Sequence, residues 1–311
     1  MKDSMVHVRV MEGYIRLLWH GLKDSQAGRI RVIPADEKAL RSKVSTNSFD
    51  RGVTASWLRS LAAPTFVGVR SATGHTIHVV SDRDRTAIEP ELRRALSLMT
   101  WLSSVPLTWY WWDQPWVREL PGGVEPGPEH LNGGWAVPGI PEVHVYRREE
   151  ALKVMIHESI HARLLDVPHD LVAGALVQFE ALLGRRLWPH LGECYTELFA
   201  ELLWAVASAT SVSGALHLWS SQRQCSTKQA GQVWARIHDS HEAEETNVFA
   251  YYILKWVLMQ HEEVFFAPNH CVDRWFVWFQ EMRPKLEELR QKYARSESEC
   301  LSLAMTCNAS T

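Results

Sequence analysis

The spacing of apolar residues divides the chain into a mixed first half and a helical second half. Residues 65–70 and 75–80 alternate between apolar and polar positions and are rich in β-branched residues, so they predict a hairpin. Residues 89–103 carry apolar side chains at helical spacing. Residues 107–112 have the β-branched and aromatic composition of a buried strand.

A Pro/Gly-rich run at 121–128 precedes two short segments, 130–136 and 141–146, that we expect to be extended. Arg148-Glu149-Glu150 places acidic residues where a helix would begin, which the helix dipole favours. The helical windows from this point are 148–165, 169–184, 191–208, 228–240, 244–260 and 272–295. A mixed half followed by a helical half predicts an α+β fold with its cleft between the halves.

The predicted organisation has three parts. Residues 1–166 form a mixed α/β part, residues 167–299 form a helical part, and residues 300–311 form a tail that we expect to be frayed. The composition fits a folded protein, because 46% of the residues are hydrophobic and 22% are charged.

Charge and cysteine content restrict the partners and the location. A net charge of -3 offers no basic field for a phosphate backbone, so we expect no nucleic-acid partner. No apolar run has the length of a membrane span, and the first 25 residues lack a signal-peptide core, so we expect no membrane partner. The five cysteines show no C-x-x-C spacing and are expected to be reduced thiols. These features predict an intracellular, cytoplasmic protein.

One motif carries metal chemistry. His157 and His161 lie one helical turn apart on one face, so their imidazoles can converge on a metal ion, and imidazole suits zinc. Glu158, beside the first histidine, is placed to act on a metal-activated water. The competing interpretation is an accidental match in a chain that contains 15 histidines.

A catalytic zinc usually has three protein ligands and one open position. Glu193 and Glu197 lie one turn apart on a later predicted helix, so one carboxylate could bind the metal while the other holds a ligand histidine. Two glutamates at this spacing also occur on solvated helix faces, and the local pattern leaves both interpretations open.

These segments together resemble the gluzincins, the class of zinc peptidases with His-Glu-x-x-His on one helix and a glutamate ligand on a later one. Residues 192–200, Gly-Glu-Cys-Tyr-Thr-Glu-Leu-Phe-Ala, are similar to the Asn-Glu-x-x-Ser-Asp pattern of thermolysin-like enzymes. The resemblance implies a zincin-like fold, one zinc ion per chain, Glu193 as the third ligand and Glu197 as the carboxylate that orients a ligand histidine. Gly192 replaces Asn and Glu197 replaces Asp, so the division of roles between the two glutamates stays open.

The chain also resembles metallopeptidase-like proteins of large DNA viruses. The blocks that carry this resemblance are 132–134, 145–150, 153–158 and 246–255. The resemblance implies a viral protein located in the host cytoplasm or in the virion.

The predicted function is zinc-dependent hydrolysis of a peptide bond by a metal-activated water, with Glu158 as general base. Tyr251 is the candidate donor to the developing oxyanion; Asn247 shares its helix face, and His238 and His241 are expected behind it. Ordinary packing is the competing interpretation for each of these side chains.

The predicted partner is a peptide or protein substrate. We expect it to add as a strand to 130–136 or 143–146, with Gly133 and Gly134 allowing close approach. The alternative function is a non-catalytic zincin-like scaffold that serves as a binding or structural module with Trp-rich surfaces. A helical structural protein with an accidental motif is a third interpretation.

Overall fold

A mixed six-stranded sheet organises the first half of the chain in the computed structural model. The strand order is β1-β2-β3-β4-β7-β6. The strands are β1 (Arg31–Ile33), β2 (Thr65–Arg70), β3 (Thr76–Ser81), β4 (Thr108–Asp113), β5 (Glu119–Leu120), β6 (Gly134–Ala136), β7 (Glu142–Val145) and β8 (Leu301–Ser302). The structure describes residues 2–24, 30–45, 52–121, 124, 126–238, 240, 242–261, 263–266, 268–293, 301–302 and 304.

Helices make up most of the second half, so the predicted α+β class is confirmed. The helices are α1 (Lys2–Asp24), α2 (Glu37–Ser45), α3 (Val53–Ser60), α4 (Arg85–Leu102), α5 (Pro128–Leu131), α6 (Ala151–Ala162), α7 (His169–Leu183), α8 (Glu193–Ser208), α9 (Val212–Ile237), a π-helix (Phe249–Leu254), α10 (Lys255–Leu258), α11 (Glu263–Phe266) and α12 (Pro268–Tyr293).

The strand pairing decides which backbone is free beside the cleft. The predicted hairpin is confirmed, because β2 and β3 pair antiparallel. Parallel pairing then joins β3 to β4 and β4 to β7, and β6 runs antiparallel to β7 at the end of the sheet. Residues 143–145 of β7 therefore have a strand on each side, and the expectation that they could receive a substrate strand is wrong. The strand at this end of the sheet is β6.

Two apolar layers cover the sheet. Residues of α4 and α6 pack on one face, around Ile77, Trp109 and Val145. Residues of α2 and α3 pack on the other face, around Val80 and Trp112. The helix that carries the metal motif is therefore fixed directly against the sheet.

The largest apolar cluster holds the helical half together. It contains Ile15 of α1 and Ile156 of α6 together with Leu198 of α8 and Trp275 of α12. Both predicted parts, 1–166 and 167–299, thus contribute side chains to one core. Since α6 and α8 both pack in this core, their facing side chains have a fixed relative position.

Several predicted boundaries are wrong. Arg148–Glu150 precede α6 instead of opening it, and Glu150 has a positive φ of 61°. His130 and Leu131 belong to α5 rather than to an extended segment. The predicted helix 244–260 starts only at residue 248, while α9 begins 16 residues before its predicted start at 228.

The described part of the tail contains a strand, since Leu301–Ser302 pairs antiparallel with β5. Cys194 and Cys271 are buried and form no disulfide, but Cys225 is disulfide-bonded. The expectation of reduced thiols is therefore wrong at Cys225, which removes one observation behind an intracellular location. Among the helices of the described residues, none has the length and apolar character needed to cross a membrane.

Candidate metal centre

The centre begins with two histidines on one buried helix. α6 contributes His157 and His161, which lie one turn apart and face α8. The side chain of His157 is 6% exposed and that of His161 is 16% exposed. Their Nε2 atoms lie 3.0 Å apart. Both rings therefore present their distal nitrogens to the same point.

Glu193, the first residue of α8, completes the group. Its Oε2 lies 3.0 Å from Nε2 of His157 and its Oε1 lies 3.4 Å from Nε2 of His161. The ligand atoms of the three residues all lie within 4.8 Å of one another. In the described part of the chain, this is the one group of three His, Cys, Asp or Glu residues that could hold a metal ion.

A carboxylate holds each ring from behind. Nδ1 of His157 donates to Oε2 of Glu197 at 2.9 Å, and Nδ1 of His161 donates to Oδ1 of Asp166 at 2.8 Å. Thr196 donates to the same oxygen of Asp166 at 3.1 Å. A proton held on Nδ1 leaves the lone pair of a neutral imidazole on Nε2, which is the arrangement that metal ligation requires.

Buried ion pairs continue behind Glu197. Lys153, one turn before His157, pairs with Oε1 of Glu197, and Lys255 pairs with Glu201. Each of these four side chains is at most 1% exposed. The solvated-face interpretation of Glu193 and Glu197 is therefore wrong, because their side chains are only 14% and 1% exposed.

The charges of the group shift the pKa values of its members. Burial lowers the pKa of His157, but hydrogen bonds to Glu193 and Glu197 outweigh it and leave the pKa above its ordinary value. Burial raises the pKa of Glu193, but the charge of His161 and hydrogen bonds to both histidines hold it well below the usual range. The protein thus gathers a carboxylate and two proton-binding rings at one point, where a cation can replace the protons.

Glu158 lies beside this group in a cleft of about 740 Å³. The cleft lies between β6, the end of α6, the start of α8 and the π-helix, and the side chains of His157, His161 and Glu193 line it. Glu158 is 8% exposed, and burial raises its pKa. A carboxyl group with a raised pKa, placed next to a metal group, is suited to accept and return a proton.

Tyr251 reaches the centre from the π-helix. Its hydroxyl lies 3.3 Å from Oε2 of Glu193 and can donate to it. Burial, followed by the charges of Glu193 and Glu158, raises the pKa of Tyr251 well above its ordinary value, so it remains a proton donor. Asn247 also lines the cleft. π-Helical turns are frequent at functional sites because the extra residue displaces a side chain from regular helical register.

His238 does not support Tyr251 as expected. It lies 3.8 Å from Glu287 and 3.1 Å from a guanidinium nitrogen of Arg290, at the end of α9. It does not line the cleft. His241, the second histidine expected there, lies outside the described residues.

Gly133 and Gly134 allow close packing within the protein. A Cβ added at Gly133 would lie 2.5 Å from a guanidinium nitrogen of Arg118, and one at Gly134 would lie 2.5 Å from the carbonyl oxygen of His144 and 3.0 Å from Cγ of Glu158. The absence of side chains therefore lets β6 lie directly over α6. Both glycines thus serve packing within the protein rather than the predicted approach of a substrate backbone.

The His-Glu-x-x-His motif did not predict that Asp166, Lys153 and Lys255 take part in the contacts behind the centre. Asp166 follows His161 by five residues and Lys153 precedes His157 by one turn, so proximity to the motif is a usable signal for both. A lysine flanked by apolar residues in a helix such as α6 also predicts a buried ion pair.

Comparisons of the chain with protein-family models, with curated proteins and with solved structures give no match.

Proposed function

We propose that the chain is a zinc-dependent metallopeptidase with a zincin-like site. The observation that carries the proposal is the spacing of the donor atoms. The Nε2 atoms of His157 and His161 lie 3.0 Å apart, and Oε2 and Oε1 of Glu193 lie 3.0 Å and 3.4 Å from them, respectively. Donors about 2.0–2.1 Å from a tetrahedral zinc lie roughly 3.3 Å from one another. Two histidines and one carboxylate also form a common catalytic zinc set, which keeps one position open.

Carboxylates behind both rings support the same assignment. Ligand histidines in zinc sites almost always donate their other ring nitrogen to such a group. The division of roles between the two α8 glutamates follows from position: Glu193 approaches both Nε2 atoms, whereas Glu197 contacts Nδ1 of His157. This is the division that the gluzincin resemblance implied.

A bound zinc ion would acidify a water molecule in its open position and polarise the carbonyl of the bond to be cut. Glu158 accepts the proton of the attacking water and returns it to the leaving amine, for which its raised pKa is suited. The phenol of Tyr251 donates a hydrogen bond to the developing oxyanion. Its contact with Oε2 of Glu193 at 3.3 Å supports this role.

The substrate is an extended peptide that adds to β6. This strand pairs only with β7 among the described strands, and all three of its residues, Gly134–Ala136, line the cleft. The unpaired side of an edge strand offers N–H and C=O groups to a further strand. Addition there would place the peptide across the group formed by Glu158 and the three ligands.

Glu158→Gln tests the catalytic assignment. The amide is nearly isosteric and the three ligands remain, so the variant should keep its zinc and its fold but lose peptide cleavage by at least about 100-fold. A broad peptide library is digested with each protein, cleavage is measured by mass spectrometry, and zinc is quantified in the same samples.

Glu288→Gln is the matched control, because it makes the same chemical change at a side chain that is 66% exposed. It should cut as the wild type does. Undiminished cleavage by zinc-loaded Glu158→Gln would contradict the mechanism. If zinc-loaded wild type cut nothing, the non-catalytic scaffold would replace the enzyme as the better account.

A further inference from the structure

The turn that ends α6 places a leucine where the backbone favours glycine. Leu164 has a φ of 55°, in the left-handed region. Its N–H donates to the carbonyl of His161 at 3.0 Å, and the N–H of Leu165 donates to the carbonyl of Ile160 at 3.0 Å. This pair of bonds is a Schellman motif, whose left-handed position usually carries glycine because a Cβ there is strained.

The next helix of the same chain shows the usual solution. α7 ends at Gly184, which has a φ of 67°. Gly184 has no heavy atom within 4 Å of the position that a Cβ would take, so glycine there meets a backbone requirement and no packing requirement. At the end of α6 the chain keeps a large side chain in the same backbone conformation.

Packing does not account for Leu164. The residue is 66% exposed, so its side chain contributes little to the core. It lines the cleft together with Glu158 and His161. Strained residues of this kind concentrate at ligand-binding sites, where the side chain has a use that offsets the strain.

The turn beside Leu164 is also apolar. The turn between β6 and β7 carries Val137 and Ile140, which are 49% and 47% exposed, and Pro138 lines the cleft. A Cβ added at Gly139 in this turn would lie 3.7 Å from Cδ1 of Leu164. The side chain of Leu164 therefore lies next to the turn that follows the edge strand β6.

We propose that Leu164 is a specificity-determining residue that receives an apolar side chain of an extended peptide, adjacent to the bond that is cut. The inference rests on the proposed peptidase function. A peptide added to β6 passes over the surface formed by Leu164 and the β6–β7 turn, where an apolar side chain would cover exposed apolar area of both. A polar side chain would lose hydration there without gaining a partner.

The test measures peptide binding separately from cleavage. The probes are fluorescein-labelled, end-blocked octapeptides that are identical except for Leu-Leu or Ser-Ser at the centre. They are titrated by fluorescence anisotropy against the zinc-loaded full chain carrying Glu158→Gln, which keeps the probes intact. The Leu-Leu peptide should bind at least about tenfold more tightly, as expected when methylene groups enter an apolar site.

Two substitutions remove the side chain in different ways. Leu164→Gly relieves the backbone, so thermal stability should stay near that of the parent while the preference for Leu-Leu falls below about threefold. Leu164→Ala retains the left-handed backbone requirement and should lose the preference as well. Leu165→Ala is the control, because this neighbour is 52% exposed and does not line the cleft. It should keep the preference.

A preference that survives in both Leu164 variants, or that falls equally in Leu165→Ala, would overturn the inference. So would a parent that binds both peptides equally or neither of them. Cleavage of the same peptides by the wild-type chain is measured in parallel. Cleavage without apolar preference would refute this inference alone, whereas apolar preference without cleavage would refute the proposed function alone.

Discussion

The position of each histidine nitrogen in the candidate centre depends on the side chains that contact the ring from behind. Glu197 joins His157 to Lys153 through its two oxygens, and all three side chains are buried. Burial raises the pKa of Glu197, but the charge of Lys153 and the hydrogen bond from His157 more than reverse this and keep the carboxylate ionised. Lys153 is therefore a positioning residue for His157, acting through Glu197.

Removing the ammonium group should weaken metal binding. In Lys153→Met the carboxylate of Glu197 loses its cation in a buried environment, so its pKa rises and it holds His157 less firmly. We expect zinc affinity to fall by roughly 10- to 100-fold, as for other losses of a group that orients a ligand histidine. Competition with a chromophoric chelator measures the affinity.

Lys255→Met is the matched control. It breaks the similarly buried pair with Glu201, which does not contact His157, and should destabilise the fold by a similar amount, about 3–5 kcal/mol. Zinc affinity should change much less. Equal affinity losses in the two variants would show that general destabilisation, rather than positioning, explains the effect.

Local spacing made part of this centre predictable. Residues at i and i+4 share a helix face in any helix, so His157 with His161 and Glu193 with Glu197 could be paired from the sequence. The approach of α8 to α6 could not, because it depends on packing between segments about 35 residues apart. For the same reason the sequence left open which glutamate meets the Nε2 atoms.

At the scale of elements, β7 carries a histidine with an unusual environment. His144 is 1% exposed and stacks on Trp135 with ring centroids 3.7 Å apart. Burial, followed by the charge of Lys43, lowers its pKa to about 3. This strand pairs with β6 along the cleft, so the neutral ring helps to hold the edge strand in place.

The depressed pKa predicts destabilisation by acid. An unfolded histidine has a pKa near 6.5, so between about pH 6.5 and pH 3 the unfolded chain binds a proton that folded His144 does not. Stability from this group is present above about pH 6.5 and falls by about 1.4 kcal/mol per pH unit as the pH drops through this window.

His144→Phe should remove that part of the pH dependence. Urea unfolding at pH 7, 6 and 5 measures the free energy of each protein. Below pH 6.5, the free energy of unfolding of the wild type should fall relative to that of the variant by about 1.4 kcal/mol for each pH unit. His217→Phe, at an exposed position of α9, controls for the replacement itself. A difference independent of pH would refute the environment described for His144.

Helices and strands could be predicted from the sequence where a single apolar periodicity dominated the segment. The hairpin of β2 and β3 and the central part of α6 follow from such signals. The start of α6 differs because Glu150 forms an ion pair with buried Arg118 at 3.2 Å, a tertiary contact that accompanies its positive φ. The first half of α9 could not be predicted, because buried polar residues such as Gln222 interrupt its apolar periodicity.

At the scale of the whole molecule, the cleft results from strand order. Only the order β4-β7-β6 leaves β6 at the edge beside α6, and order in a sheet is set by pairing between distant segments. The sequence could therefore predict an α+β fold with a cleft between its halves but not which strand would border it. The metal group then lies where the sheet edge, α6, α8 and the π-helix meet.

The metal content of the purified chain tests the central claim most directly. After exposure to zinc and removal of loosely bound ions, mass spectrometry of the metal should find about one zinc per wild-type chain. Glu193→Ala should lose most of it, while Glu197→Ala should retain a weaker site. The double variant His157→Ala, His161→Ala should hold none, with its fold checked by circular dichroism. A full complement of zinc in this double variant, or a folded wild type that binds none, would contradict the account.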